Sequence, residues 1–260
     1  MLRYTGVRRA VTVVRHRGLA ADDVFLASYP RSGNTWVKFV LADLVAGRDL
    51  GFQETEDLVP TVGEHRRCAS YLPGGGRIVK THEPIRREYR RSIYLIRDPR
   101  DVALSYVRWL SGFGVEYASL DEFLRQFMRG RVGGYGSWLR HARGWVEAGP
   151  KHEVLLLRYE DLKADPIRQL SRAASFCGLP ADTDRIELAA GRNSADRMRE
   201  KESLETGYFE EAGWRNNEVS FVGQASSGGW RDQLSKSQLE ILEPATDYYL
   251  RLAESDRAVS

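Results

Sequence analysis

The stretch VFLASYPRSGNTWVKFVLADLV, residues 24–45, decides how the chain is read. It opens as an apolar run of strand length, turns through Pro30, Ser32 and Gly33, and goes on with helical spacing of apolar residues. N–H groups in the first turn of a helix have no partner inside it, and the helix dipole favours negative charge there. A strand that feeds a helix through a glycine turn is therefore a ready cradle for an anion. The amides of Gly33, Asn34, Thr35 and Trp36 would face that anion. Arg31 would add a charge-assisted contact, and Ser32 and Thr35 hydroxyl donors. The nucleotide signature G-x-x-x-x-G-K-[ST] is missing. The same residues also suit a plain strand–turn–helix corner, so the rest of the chain must decide.

Apolar runs at 24–29, 77–82, 92–98 and 153–160 predict strands, three of them nearly continuous, as in strands covered on both faces. Helical patterns fall at 33–47, 99–110, 137–149, 165–179 and 235–255. Asp98 is a good N-cap with Pro99 behind it, and Pro244 predicts a kink or break in the last helix. This alternation predicts an α/β fold: one domain over 1–260, with a central parallel sheet flanked by helices and a P-loop-like anion-binding loop. Residues 1–22 read as an N-terminal extension. The polar, glycine-containing stretch 186–229 reads as irregular, a lid or mobile loop.

A net charge of +3 is too small to argue for nucleic acid but suits an anionic ligand. Cys68 and Cys177 have no C-x-x-C spacing, so neither a disulfide framework nor a zinc site is expected. Arg15 and Arg17 break the N-terminal apolar run, which makes a poor secretory signal. No window approaches the 18 apolar residues of a membrane span. The default expectation is a cytoplasmic protein without membrane or nucleic-acid partners.

Two more segments carry chemistry. In IYLIRDPRDVALSY (93–106), Arg97 ends a strand and Ser105 lies two turns into the next helix, a cation and a hydroxyl suited to a second phosphate. Arg97 could instead pair with Asp98 or Asp101 as a solvated cap. In IVKTHEP (78–84), strand alternation puts Lys80 and His82 on one face, at the carboxyl end where open α/β sheets bind ligands. That pair suits a base and an anion stabiliser. His16, His65, His141 and His152 have no such setting. No acidic strand end suited to Mg²⁺ is evident, so no metal is expected, and Arg and Lys would neutralise charge.

Together these residues resemble the sulfotransferase family that uses 3'-phosphoadenosine 5'-phosphosulfate (PAPS). The family's Y-P-K-S-G-T-T-W loop is matched by Tyr29 to Trp36, R-x-x-x-D-x-x-x-S by Arg97, Asp101 and Ser105, and K-T-H by Lys80, Thr81 and His82. Y-E-D is matched by Tyr159, Glu160 and Asp161, and G-D-W is echoed by Gly228-Gly229-Trp230. The resemblance implies that the 5'-phosphosulfate lies on Arg31, Ser32, Gly33, Asn34 and Thr35, with Trp36 and Tyr159 against the adenosine. Arg97 and Ser105 would hold the 3'-phosphate. His82 would take a proton from an acceptor hydroxyl or amine, helped by Lys80 and Arg31, and adenosine 3',5'-bisphosphate (PAP) would leave.

Three positions depart from the family. The loop Lys is Arg31. F-x-R-K-G becomes Phe221-Val222-Gly223-Gln224-Ala225, so two cations are gone, and either backbone amides with Gln224 give a weaker grip or another Arg must serve. T-S-F becomes Asn193-Ser194-Ala195, without the ring that stacks on adenine.

Two other readings stand beside this one: a PAP- or nucleotide-binding protein without turnover, and an atypical P-loop kinase. The acceptor would be a small molecule with a hydroxyl or amine, met by a rim at 52–76, 110–135 and 200–220 that holds aromatics such as Phe52, Trp109, Tyr135, Phe209 and Trp214. The family's dimer signature is loosely echoed by Arg231, Ser235-Lys236 and Glu240, which leaves a homodimer open.

Overall fold

The structure, a computed structural model, describes residues 14–180, 182–214, 219–223 and 226–259. The four expected strands form: β1 (Val24–Ser28), β2 (Ile78–Thr81), β3 (Arg91–Ile96) and β4 (Glu153–Arg158). All pair in parallel, in the order β2-β1-β3-β4. Helices α1 (Asn34–Ala46) and α2 (Phe52–Leu58) lie between β1 and β2. Helices α3 (Pro99–Gly112), α4 (Leu120–Met128) and α5 (Trp138–Val146) lie between β3 and β4. After β4 come α6 (Tyr159–Ala164), α7 (Pro166–Phe176), α8 (Thr183–Arg192), α9 (Ala195–Leu204), α10 (Thr206–Glu211), a 3₁₀ turn (Gly229–Asp232) and α11 (Lys236–Val259).

The nearly continuous apolar strands are explained by helices on both faces. Val24, Leu26, Ile93 and Leu95 pack against α1, α7 and α8 through Val37, Leu41, Leu170 and Ile186. Their neighbours Phe25, Ala27, Tyr94 and Ile96 point the other way, onto Val102, Phe127, Trp138, Trp145 and Leu242 of α3, α4, α5 and α11. Each such large apolar side chain contributes about 1.5–3 kcal/mol on burial. The result is one three-layer α/β domain. The chain leaves β1 for β2 on one side and leaves β3 for β4 on the other. The crevice between the carboxyl ends of β1 and β3 is thus the switch point at which open sheets bind ligands.

Two expectations are corrected. Pro244 does not break the last helix: α11 runs from Lys236 to Val259 with Pro244 inside it. Leu242 and Ala245 are fully buried on either side of the proline, and that packing offsets the one ladder bond it removes. Likewise, 186–229 is not irregular throughout. Helices α8, α9 and α10 occupy it as far as Glu211. They bury few residues each, chiefly Met198, Phe209, Ile186 and Ala189, so their apolar periodicity is faint.

Glu160 ties the strand ends together. Its Oε1 accepts the Asp98 N–H at 3.1 Å, and Oε2 accepts the Tyr249 hydroxyl of α11. Burial pushes its carboxyl above the usual range. Glu160→Ala should leave both donors unpaired and lower stability by about 2–4 kcal/mol, measured by chemical denaturation, whereas Glu160→Gln should recover much of the loss.

Candidate active site

Beyond β1 the chain turns sharply into α1. Gly33 sits in the left-handed region at φ 93°, and so does Arg31 at φ 70°. A non-glycine residue held there costs on the order of 1 kcal/mol, a strain that clusters at functional sites. Gly33 is required for a second reason: a Cβ on it would stand 2.6 Å from Cδ2 of Tyr159. No side chain caps α1. By contrast, Asp98, Ser119, Ser137, Asp165, Asp182 and Ser194 cap α3, α4, α5, α7, α8 and α9. The first-turn N–H groups of α1 are thereby left to an external acceptor.

The side chain of Asn34 turns away from such a ligand. Its Nδ2 donates to Leu26 O at 3.1 Å and Ser28 Oγ at 3.2 Å, bracing the loop. Ser32 is fully buried and its Oγ has no partner.

Arg97 does not pair with Asp98 or Asp101. Asp98 caps α3 and pairs with Arg100, and Asp101 accepts the N–H groups of Gly228 and Trp230 at 2.7 and 3.2 Å. The Arg97 guanidinium donates to the carbonyls of Arg31 and Ser226, at 3.0 and 2.7 Å, and lies 4.4 Å over the Tyr159 ring. Arg31 donates from Nε to Ser105 Oγ at 3.2 Å and from its terminal nitrogen to Phe221 O at 3.1 Å. Burial first, and Arg97 second, pull Arg31 down to about 10, so it stays protonated at neutral pH.

His82 and Lys80 share the face that alternation predicted. His82 Nδ1 lies 2.9 Å from Ser28 O. A carbonyl can only accept, so Nδ1 carries the hydrogen and Nε2 keeps its lone pair. His141 supports this residue from behind: its Nε2 donates to the carbonyls of His82 and Glu83, both at 3.1 Å, while its Nδ1 meets the Tyr94 hydroxyl at 3.1 Å. Burial, then Lys80, lowers His82 to about 3, and burial lowers His141 to about 4, so both rings are neutral at pH 7.

These elements enclose a cavity of about 470 Å³. Arg31, Gly33, Asn34, Thr35, Trp36, Lys80, His82, Arg97, Ser105, Tyr159, Ser194 and Gly223 line it. Ser32 does not, and Gln224 and Ala225 fall outside the described residues. The sequence reading overlooked the carbonyls of Phe221 and Ser226, which take the two arginines. It also overlooked Glu202, which accepts the N–H groups of Phe221 and Val222 and so fixes that strip against α9. Backbone acceptors and a lone surface-type Glu leave no sequence signal. Of the expected aromatic rim, Trp109 and Tyr135 line the cavity, whereas Phe52, Phe209 and Trp214 form a separate core with Phe39 and Met198.

The chain belongs to the sulfotransferase family: the sulfotransferase domain family model matches residues 21–253. It is 28% identical over 240 residues to sulfotransferase 1A1 of Bos taurus, covering 85% of this chain and 81% of that protein. It is 26% identical over 254 residues to sulfotransferase 1 family member D1 of Rattus norvegicus, covering 90% and 84%. Among solved structures it resembles a mouse sulfotransferase complexed with PAP, with TM-score 0.69 at 21% identity over 90% of this chain and 86% of that one. A retinol dehydratase in complex with androsterone and PAP also has TM-score 0.69, at 21% identity, covering 89% and 81%. The fold is thus the P-loop-like sulfotransferase fold, and the protein is a sulfotransferase enzyme.

Two outcomes follow from the geometry. Gly33→Ala should cost about 2–4 kcal/mol, since a left-handed alanine and a displaced Tyr159 ring both resist it, and the loss should appear in denaturation midpoints. Second, His82 and His141 are held below their unfolded value near 6.5, so below that pH the unfolded chain binds more protons than the folded one. Stability should be insensitive to these groups above about pH 7 and fall as pH drops below about 6.5. Melting temperature against pH should show the fall, shallower in His82→Asn.

Proposed function

We propose that the enzyme transfers a sulfuryl group from PAPS to a hydroxyl or amine of a small, partly apolar acceptor, with His82 as general base. The observation that carries this reading is the fixed tautomer of His82, whose free Nε2 stands in the same cavity as Lys80 and the open N-terminus of α1. When bound, PAPS supplies an activated sulfuryl group with the 5'-phosphate as its leaving group. The residues fit such a ligand: a helix start without a side-chain cap, Gly33 clear of any Cβ, and Arg31 and Arg97 bonded only to neutral oxygens.

In this reading the amides of Gly33, Asn34, Thr35 and Trp36 and the Thr35 hydroxyl hold the 5' end, while Arg97 and Ser105 hold the 3'-phosphate. The rings of Trp36 and Tyr159 flank the adenosine. Ser194 and Gly223 complete the lining of the cavity. The Lys80 ammonium makes no hydrogen bond or ion pair to a described residue and is free to donate where negative charge grows. Anionic charge beside Lys80 and Arg31 offsets the cations that depress His82 and raises its basicity when the site is filled. General-base help of this kind is typically worth ~10²–10⁴ in rate.

Trp109, Tyr135 and Phe221 suit a flat apolar acceptor. The androsterone and retinol held by the solved neighbours agree with that chemistry. The described part of the segment 186–229 acts as a lid in this reading, because Ser194, Met198, Phe221 and Gly223 line the cavity from it.

The test is a thermal-shift titration with PAP against AMP and ADP, with and without Mg²⁺. A ligand at ~100 times its dissociation constant adds about 2.7 kcal/mol. PAP alone, without Mg²⁺, should raise the melting temperature clearly and AMP should not. Absence of any PAP effect would remove the donor assignment. His82→Ala should bind PAP within about threefold of wild type yet lose turnover by at least ~10²; full turnover in that variant would remove His82 as base.

A further inference from the structure

The cavity holds more positive charge than the residues discussed so far. Arg108 lies on α3 three residues after Ser105, so the two share a helix face. Its side chain lines the same cavity, is half-buried, and donates to the neutral Gln233 Oε1 at 3.3 Å. It also stands close enough to Arg31 to help lower that group's pKa.

Three guanidinium-bearing residues, Arg31, Arg97 and Arg108, thus line the cavity that Ser105 also lines, with Arg31 bonded to Ser105 itself. Among the described residues, each of their guanidinium hydrogen bonds goes to a neutral oxygen: a hydroxyl, three carbonyls and a side-chain amide. The carboxylates nearby are committed elsewhere. Asp101 holds the N–H groups of Gly228 and Trp230. Glu202, which favours the charged form of Arg31, holds Ser220 Oγ and the N–H groups of Phe221 and Val222. Like charges gathered without a direct ion pair repel one another, and an entering anion relieves that repulsion. A phosphate monoester, with charge near −2 and three strong acceptor oxygens, matches a fork of guanidiniums better than a singly charged group does.

We infer that Arg108 is a binding residue for the 3'-phosphate of the donor nucleotide, acting with Arg97 and Ser105 from α3. It would supply from a helix part of the charge that Gly223 and Gln224 do not carry in the 221–225 strip. The inference rests on the donor reading given above.

The experiment is calorimetric titration of wild type, Arg108→Ala and Arg108→Lys with PAP and, separately, with AMP, which lacks the 3'-phosphate. Arg108→Ala should weaken PAP by about tenfold to a hundredfold, as expected for one charge-assisted contact, and leave AMP within about twofold. Arg108→Lys should recover part of the loss, since charge returns without the fork. Wild-type preference for PAP with unchanged PAP binding in Arg108→Ala would overturn this inference alone, as would equal losses for both nucleotides. A wild-type protein that binds PAP no better than AMP would overturn the donor reading and this inference with it.

Discussion

The site hangs on one ring. Tyr159, the first residue after β4, lies with one side of its ring against the bare Cα of Gly33 and carries the Arg97 guanidinium 4.4 Å from its centroid. Gly33 follows β1 and Arg97 follows β3. A single aromatic plane therefore sets the spacing of three strand ends, and an added methyl group at Gly33 cannot be accommodated without moving it. Arg97 then reaches back to the carbonyl of Arg31 and across to Ser226, so the turn after β1 and the late 226 segment are both referred to the same cation.

Around this frame, charge is arranged by withholding partners. Acidic residues are plentiful nearby, yet Asp98, Asp101, Glu160 and Glu202 each accept a backbone N–H group and none of them hydrogen-bonds to Arg31, Arg97 or Arg108. The arginines are left with carbonyls and hydroxyls. A carbonyl orients a guanidinium without cancelling its charge, so the cavity keeps its positive field while its walls stay ordered. The same economy holds at His82, whose Nδ1 hydrogen bond fixes the tautomer without adding a carboxylate that would raise its pKa.

The parts legible in the sequence were those written in periodicity or in local turn chemistry. The four strands, the helix after Gly33, the Asp98 cap and the pairing of Lys80 with His82 on one face all follow from spacing within about ten residues. The helices from Thr183 to Glu211 were hidden because each buries only one or two apolar residues along its whole length. The apparent break at Pro244 misled because burial of Leu242, Ala245 and Tyr249 outweighs a lost backbone bond. The carbonyls of Phe221 and Ser226 could not be found, because every residue has a carbonyl and only tertiary placement selects these two.

Ser28 occupies a particular place in this arrangement. Its carbonyl receives His82 Nδ1, and its hydroxyl receives the Asn34 amide that braces the loop at the start of α1. The loop at the start of α1 and the His82 ring are therefore hinged on one residue of the central strand. Adjustments to either one are not independent in evolution: substitutions at Asn34 and His82 share this anchor, and their effects are expected to be epistatic instead of additive.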